Sequence, residues 1–154
     1  MRLYGSNPPR SFGWVLIAVV AACVPVFADV EQEADRAWGA GEHDAALALY
    51  DQVLEEHPGT FIALLRSPKI LSWTRRFDES IARYNLALAV EPDDYEAALG
   101  RARVLSRAGR YKEARAAFEQ LCDRDPSDIH ARLGLARSYA WAGSLTEART
   151  ESER

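Results

Sequence analysis

Charged and apolar positions are unevenly spread along this chain. Ser11 to Ala28 carry no charge, and the centre of that run reads Trp14-Val-Leu-Ile-Ala-Val-Val-Ala-Ala22. From there on the positions fall into a period of 34 residues, on which Pro58, Pro92 and Pro126 lie, as do Tyr50, Tyr84 and Phe118. Ala46, Ser80, Ala114 and Ala148 form a small-residue column at the same spacing. Gly41, Gly109 and Gly143 form another, with Arg75 in the remaining slot.

These columns predict pairs of antiparallel helices. The small residue lets the two helices of a pair approach closely. The aromatic four residues later lies on the same helical face and fills the space toward the next unit. Each proline ends a second helix, because it lacks an N–H donor. The Gly slot marks the turn within a pair, where positive φ carries no Cβ penalty for glycine. First helices are expected at about 30–40, 61–73, 95–108 and 129–142. Second helices are expected at about 44–56, 78–90, 111–123 and from 145 onward. Asp93 or Asp94, and Ser127 or Asp128, are the expected N-caps. No strand pattern competes. Pro68 breaks the scheme, since it falls inside a first helix at the small-residue column of Ala102 and Ala136. An interior proline costs about 3 kcal/mol, so that helix should kink or start late, near Ser67.

Ala46-x₃-Tyr50…Pro58, Ser80-x₃-Tyr84…Pro92 and Ala114-x₃-Phe118…Pro126 are similar to the second half of the tetratricopeptide pattern, A-x₃-F…P at period 34. Leu135-Ala136-x-x-Tyr139 is the best copy of the first half. The chain resembles that family over about 30–154, in units of about 27–60, 61–94, 95–128 and a partial 129–154. The resemblance implies an all-α fold, a right-handed α-solenoid whose first helices line a concave, protein-binding face. The phrases from Gly100 to Ala114 and from Gly134 to Gly143 also look like the periplasmic repeats of YaiO-type outer-membrane proteins. There, a leader and a short repeat array precede a β-barrel. That likeness implies the periplasmic part of a longer protein, although no alternating segments follow Arg154.

The uncharged run has the layout of a secretory signal peptide. Arg2 and Arg10 precede it, Val26-Phe27-Ala28 supplies small residues at −3 and −1, and acidic residues follow from Asp29. Residues 1–28 are therefore read as a leader cleaved after Ala28, with 29–154 as the repeat array. Two other readings stay open: an uncleaved anchor, and a lipoprotein modified at Cys23 within Val20-Ala21-Ala22-Cys23. Any membrane association would run through this segment or through a missing C-terminal region. The expected location is periplasmic or exported.

Composition narrows the chemistry. The formal net charge is −4, and it becomes −6 for residues 29–154, because both basic residues of the leader are lost and no acid is. A pI of about 5.4 argues against a dedicated nucleic-acid binder. Two cysteines make neither a disulfide scaffold nor a structural zinc site. His43, His57 and His130 have no spacing that supports a metal or catalytic constellation. His57 reads as a helix end beside the negative dipole, and Cys122, in the column of Leu54 and Leu88, as a buried structural thiol. Glu55-Glu56 and Asp93-Asp94 read as solvated helix ends. No metal, cofactor or enzymatic activity is expected.

One column remains for function. Lys69, Arg103 and Arg137 share a slot on the first helices at period 34, with Asp35 in that slot of the first unit. Ser72-Trp73, Ser106-Arg107 and Ala140-Trp141 follow them. Stacked units would align a ladder of cations beside Trp73, Arg107 and Trp141. Such a groove suits an acidic peptide, a C-terminal carboxylate or an anionic polysaccharide. Against it stands a plainer reading, in which the arginines are solvated with their stems over neighbouring helices and the tryptophans pack between repeats. The expected function is an exported protein-interaction module in bacterial envelope or surface-polysaccharide assembly. The alternatives are an N-terminal fragment of a longer outer-membrane protein, or a lipid-anchored spacer with no binding function of its own.

Overall fold

The computed structural model describes residues 29–141. The leader with Cys23, the repeat positions Gly143 and Ala148, and the helix expected from 145 lie outside the described residues. Within them the chain forms helices alone. Residues 29–40 form α1. They are followed by α2 (His43–Glu56), α3 (Phe61–Trp73), α4 (Phe77–Val90), α5 (Tyr95–Arg107), α6 (Tyr111–Arg124) and α7 (Ile129–Trp141).

The first helices α1, α3 and α5 end in the same way. Gly41 and Gly109 adopt φ of 79° and 78°. Glu42 N–H donates to the Ala37 carbonyl at 2.9 Å, and Arg110 N–H to the Leu105 carbonyl at 3.0 Å, the six-to-one bond of a Schellman turn. Arg75 closes the equivalent turn at φ 64°, with Arg76 N–H on the Leu71 carbonyl at 2.8 Å. The missing glycine thus leaves the turn unchanged and places an arginine in a left-handed conformation that costs about 1–2 kcal/mol.

The second helices stop at the prolines, as expected, with C-caps at His57, Glu91 and Asp125. Asp94 caps α5 by accepting from Ala97 N–H at 2.7 Å. Asp128 caps α7, its Oδ1 accepting from His130 N–H at 2.9 Å and Ala131 N–H at 3.2 Å. Ser127 takes part in the preceding turn instead, donating to Asp125 through its N–H and its hydroxyl, which holds the Asp125 carboxyl below its ordinary range.

Pro68 behaves differently from the expectation of a late start. α3 runs unbroken from Phe61, and Pro68 is buried within it. The ring stands in the column that Ala102 and Ala136 occupy in the later repeats. Buried hydroxyls supply local bonds: Ser67 Oγ donates to the Ala63 carbonyl at 2.6 Å, and Ser80 Oγ to the Pro68 carbonyl at 2.7 Å. Ser80 is thus both the small residue of its column and a polar clamp between α3 and α4.

The columns pack as their spacing requires. Ala46, Ser80 and Ala114 are buried, as are Tyr50, Tyr84 and Phe118. Full burial of such an apolar side chain contributes about 1.5–3 kcal/mol. Tyr84 lies against Gly100 and Phe118 against Gly134, so each aromatic fills a notch left by a glycine on the next first helix. Tyr50 donates to Asp35 Oδ1 at 2.7 Å, and burial with the nearby Glu31 charge pushes its hydroxyl up to about 12. Burial also raises the Tyr84 hydroxyl. Cys122 is half-buried against the core rather than sealed inside it, like Leu54 and Leu88 in its column.

Candidate functional site

Across the repeat boundaries α3 packs on α5 and α5 on α7, while α2, α4 and α6 make no comparable contact with one another. The first helices therefore form the inner layer of the curve, and the basic slot lies on it. Its members differ in what they meet. Lys69 is ion-paired with Glu96 on the next first helix, and Arg66 with Asp35. Arg103, Arg107 and Arg137 are exposed and form no ion pair with an acid among the described residues. Arg107 donates to Ser72 Oγ at 3.0 Å. The Arg137 guanidinium sits 5.0 Å from the Trp141 ring centroid, a cation–π contact worth about 0.5–1 kcal/mol at an exposed site.

Two hollows open along this layer. One, of about 310 Å³, is lined by Lys69, Trp73, Tyr95, Glu96, Arg103 and Arg107. The other, of about 220 Å³, is lined by Arg103, Arg107, His130, Leu133, Arg137 and Trp141. Arg103 and Arg107 border both, so the six predicted groove residues line two neighbouring hollows: Lys69 and Trp73 the first, Arg137 and Trp141 the second. Tyr95 stands at its rim and donates to Asp128 Oδ2 at 2.8 Å; partial burial and then that bond push its hydroxyl up to about 12.

The tryptophans are both half-exposed, but neither is bare. Trp73 stacks on Trp38 at 5.3 Å between ring centroids, and His43 meets both rings edge-on at 4.8 and 5.8 Å. Trp141 lies 6.1 Å from Tyr111. Each tryptophan thus meets an aromatic side chain of the preceding repeat. His43 and Tyr111 occupy one column, with Phe77 between them, that sequence reasoning missed although it keeps the 34-residue period. Also missed was a pair of ion pairs at that period: Arg76 with Glu79 at 2.5 Å and Arg110 with Glu113 at 2.7 Å. The arginine hydrogen bond holds each of these two carboxyls below its ordinary range.

The described residues contain no group of three His, Cys, Asp or Glu placed to hold a metal ion. None of their helices is long and apolar enough to cross a membrane.

The profile described as tetratricopeptide repeat matches residues 32–67, 74–129 and 99–154. The chain belongs to the tetratricopeptide repeat family. Tetratricopeptide arrays are protein-interaction scaffolds, typically non-enzymatic, and this chain has their architecture. No curated protein matches it in sequence. Among solved structures it is similar to a tetratricopeptide repeat protein from Parabacteroides merdae ATCC 43184, with TM-score 0.70 and 23% identity. That match covers 89% of this chain and 54% of the other, so the chain spans about half the length of that relative. MamA (41-end) from Desulfovibrio magneticus RS-1 matches with TM-score 0.77 and 17% identity over 82% of this chain and 72% of that one. The first tetratricopeptide domain of Spaghetti (RPAP3), bound to the HSP90 peptide SRMEEVD, matches with TM-score 0.69 and 16% identity over 77% and 94%.

Proposed function

We propose that this tetratricopeptide array binds an acidic peptide segment of a partner protein on its inner face. The observation that carries the reading is the set of three exposed arginines, Arg103, Arg107 and Arg137, bordering two neighbouring hollows with no acidic side chain paired to them among the described residues. A carboxylate placed between them gains charge-assisted hydrogen bonds, roughly twice as strong as neutral ones. The Spaghetti (RPAP3) domain supports the reading by analogy, since the peptide it holds, SRMEEVD, carries Glu-Glu and a final Asp. The leader layout of residues 1–28 supports export, and with it a partner in the bacterial envelope or in surface-polysaccharide assembly.

The test is binding of a fluorescent peptide bearing a Glu-Glu pair to the full-length protein at two salt concentrations. Binding should weaken as salt rises, and Arg103→Glu combined with Arg137→Glu should lower affinity by about tenfold or more, near 1.4 kcal/mol, with an unchanged helical spectrum. Unchanged affinity sinks the proposal and leaves the spacer reading. Arginine-dependent binding of a polyuronate in place of the peptide assigns the groove to anionic polysaccharide. Export is checked by sequencing the N-terminus of the protein from the producing cell, expected at Asp29.

A further inference from the structure

The two layers of the array differ in charge. Residues 61–75, 95–109 and 129–141, which hold the first helices of the later repeats, carry eight basic side chains and one acid. Residues 42–60, 76–94 and 110–128, which hold the second helices, carry fifteen acids and six bases. The outer layer is therefore anionic, and α4 interrupts it.

Five columns on the second helices lie away from the core. They read Ala48, Asp51, Gln52, Glu55 and Glu56 on α2, and Ala116, Glu119, Gln120, Asp123 and Arg124 on α6. On α4 they read Ala82, Asn85, Leu86, Ala89 and Val90, all exposed and none charged. Leu86 is 53% exposed and Val90 46%; four residues apart, they share a face. The other side of α4 is buried through Ser80, Ile81, Tyr84 and Ala87. A helix that is apolar all round belongs between partners rather than at a solvent boundary.

A hollow opens on each side of this stripe. One, of about 400 Å³, is lined by Leu54, Pro58, Leu64 and Leu86. The other, of about 520 Å³, is lined by Leu88, Pro92, Ala98, Ala117 and Leu121. Ala98 and Ala117 stand in the columns of Leu64 and Arg83, which leaves more room in the second. A ridge between two grooves is the shape on which another helix packs.

Charge says what that helix carries. Around the stripe Arg76 is ion-paired with Glu79, Arg83 with Asp51 and Arg124 with Asp93, and Arg101 donates to Asn85 Oδ1 at 3.2 Å. Glu55 and Asp123, one in each hollow, form no ion pair among the described residues. Glu91, next to Val90, forms none either.

We infer that the outer face of α4 docks an amphipathic helix of a partner protein, its apolar side on Leu86 and Val90 and its margins bearing Lys or Arg toward Glu55 and Asp123. This is helix-in-groove recognition with charge complementarity at the rim. It uses the layer opposite Arg103, Arg107 and Arg137, so it stands apart from the inner-face reading.

The test uses the full-length protein and fluorescent stapled helices of 14 residues, the length of α4. One has a leucine stripe with lysine margins, a second has the same stripe with glutamate margins, and a third has the first composition with its leucines scattered around the helix. The lysine-edged helix should bind at least tenfold tighter than the other two. Leu86→Ser with Val90→Ser should weaken it by about tenfold, with an unchanged helical spectrum and unchanged binding of the Glu-Glu peptide. Equal affinity for the three helices, or undiminished binding to the double variant, overturns the inference. Sedimentation of the protein alone covers the other occupant: a dimer abolished by the double variant would assign the face to a second copy and overturn the partner helix.

Discussion

Tyr84 and Gly100 are a fitted pair: a Cβ added to Gly100 would stand 2.5 Å from Tyr84 Cζ, and the Tyr84 ring is buried. Phe118 and Gly134 repeat the arrangement one period later, more tightly. A methyl group at either glycine would have to displace a packed ring at a repeat boundary. Gly100→Ala and Gly134→Ala should therefore each destabilise by about 1–3 kcal/mol, although alanine is the better helix former by about 1 kcal/mol. Urea denaturation followed by circular dichroism reads this. A variant as stable as the parent would mean the ring moves aside freely.

Arg75 makes the opposite prediction. Its φ of 64° serves the turn that Gly41 and Gly109 serve in their own repeats. Arg75→Gly relieves about 1–2 kcal/mol of left-handed strain and loses part of that to the greater freedom of unfolded glycine. A net gain of about 0.5–1 kcal/mol should appear as a higher urea midpoint at unchanged slope.

Pro68 is a third such site. Alanine occupies its column at Ala102 and Ala136, so Pro68→Ala fits the helix contact and restores the N–H to α3. A gain approaching 3 kcal/mol, reduced by the lost ring burial, should raise the melting temperature. The Ser80 hydroxyl keeps its acceptor, since its bond is to the backbone carbonyl of residue 68. A lower melting temperature would show that ring packing outweighs the missing bond.

Lys69 and Glu96 predict a small effect on stability and a larger one on binding. The pair is exposed, so Glu96→Gln should change folding stability by less than about 1 kcal/mol. It also releases the cation at the edge of the larger hollow. Affinity for an acidic peptide should rise about two- to threefold at low salt, and the gain should fade as salt is added.

Alkaline pH should unfold the array earlier than its helices alone would suggest. The Tyr50 hydroxyl is raised to about 12 and Tyr84 is raised too, both chiefly by burial. A raised folded pKa means stability that is complete below pH ~10, the ordinary tyrosine value, and lost as pH climbs through the folded value. Each such tyrosine removes up to about 1.4 kcal/mol per pH unit in that window. Tyr50→Phe should flatten the fall between pH 10 and 12, measured as urea midpoint against pH. An unchanged profile would show that Tyr50 ionises without unfolding.

For the described residues, the sequence by itself determined the helix pairs, their boundaries to within a residue or two, the turns and the inward columns. These follow from local rules, because proline lacks a donor, glycine tolerates positive φ, and side chains four apart share a face. Period alone was enough to place Lys69, Arg103 and Arg137 on one side. Local rules misled at Pro68, where the backbone cost was legible but the fit between α3 and α4 was not. Only tertiary structure decided which cations are paired among the described residues. Lys69 and Glu96 are 27 residues apart, and nothing local says that a lysine meets a glutamate from the next repeat while Arg103 meets no acid among the described residues. The same holds for the two hollows. Their walls come from side chains of different repeats, so their size and their shared arginines exist only once the units have stacked.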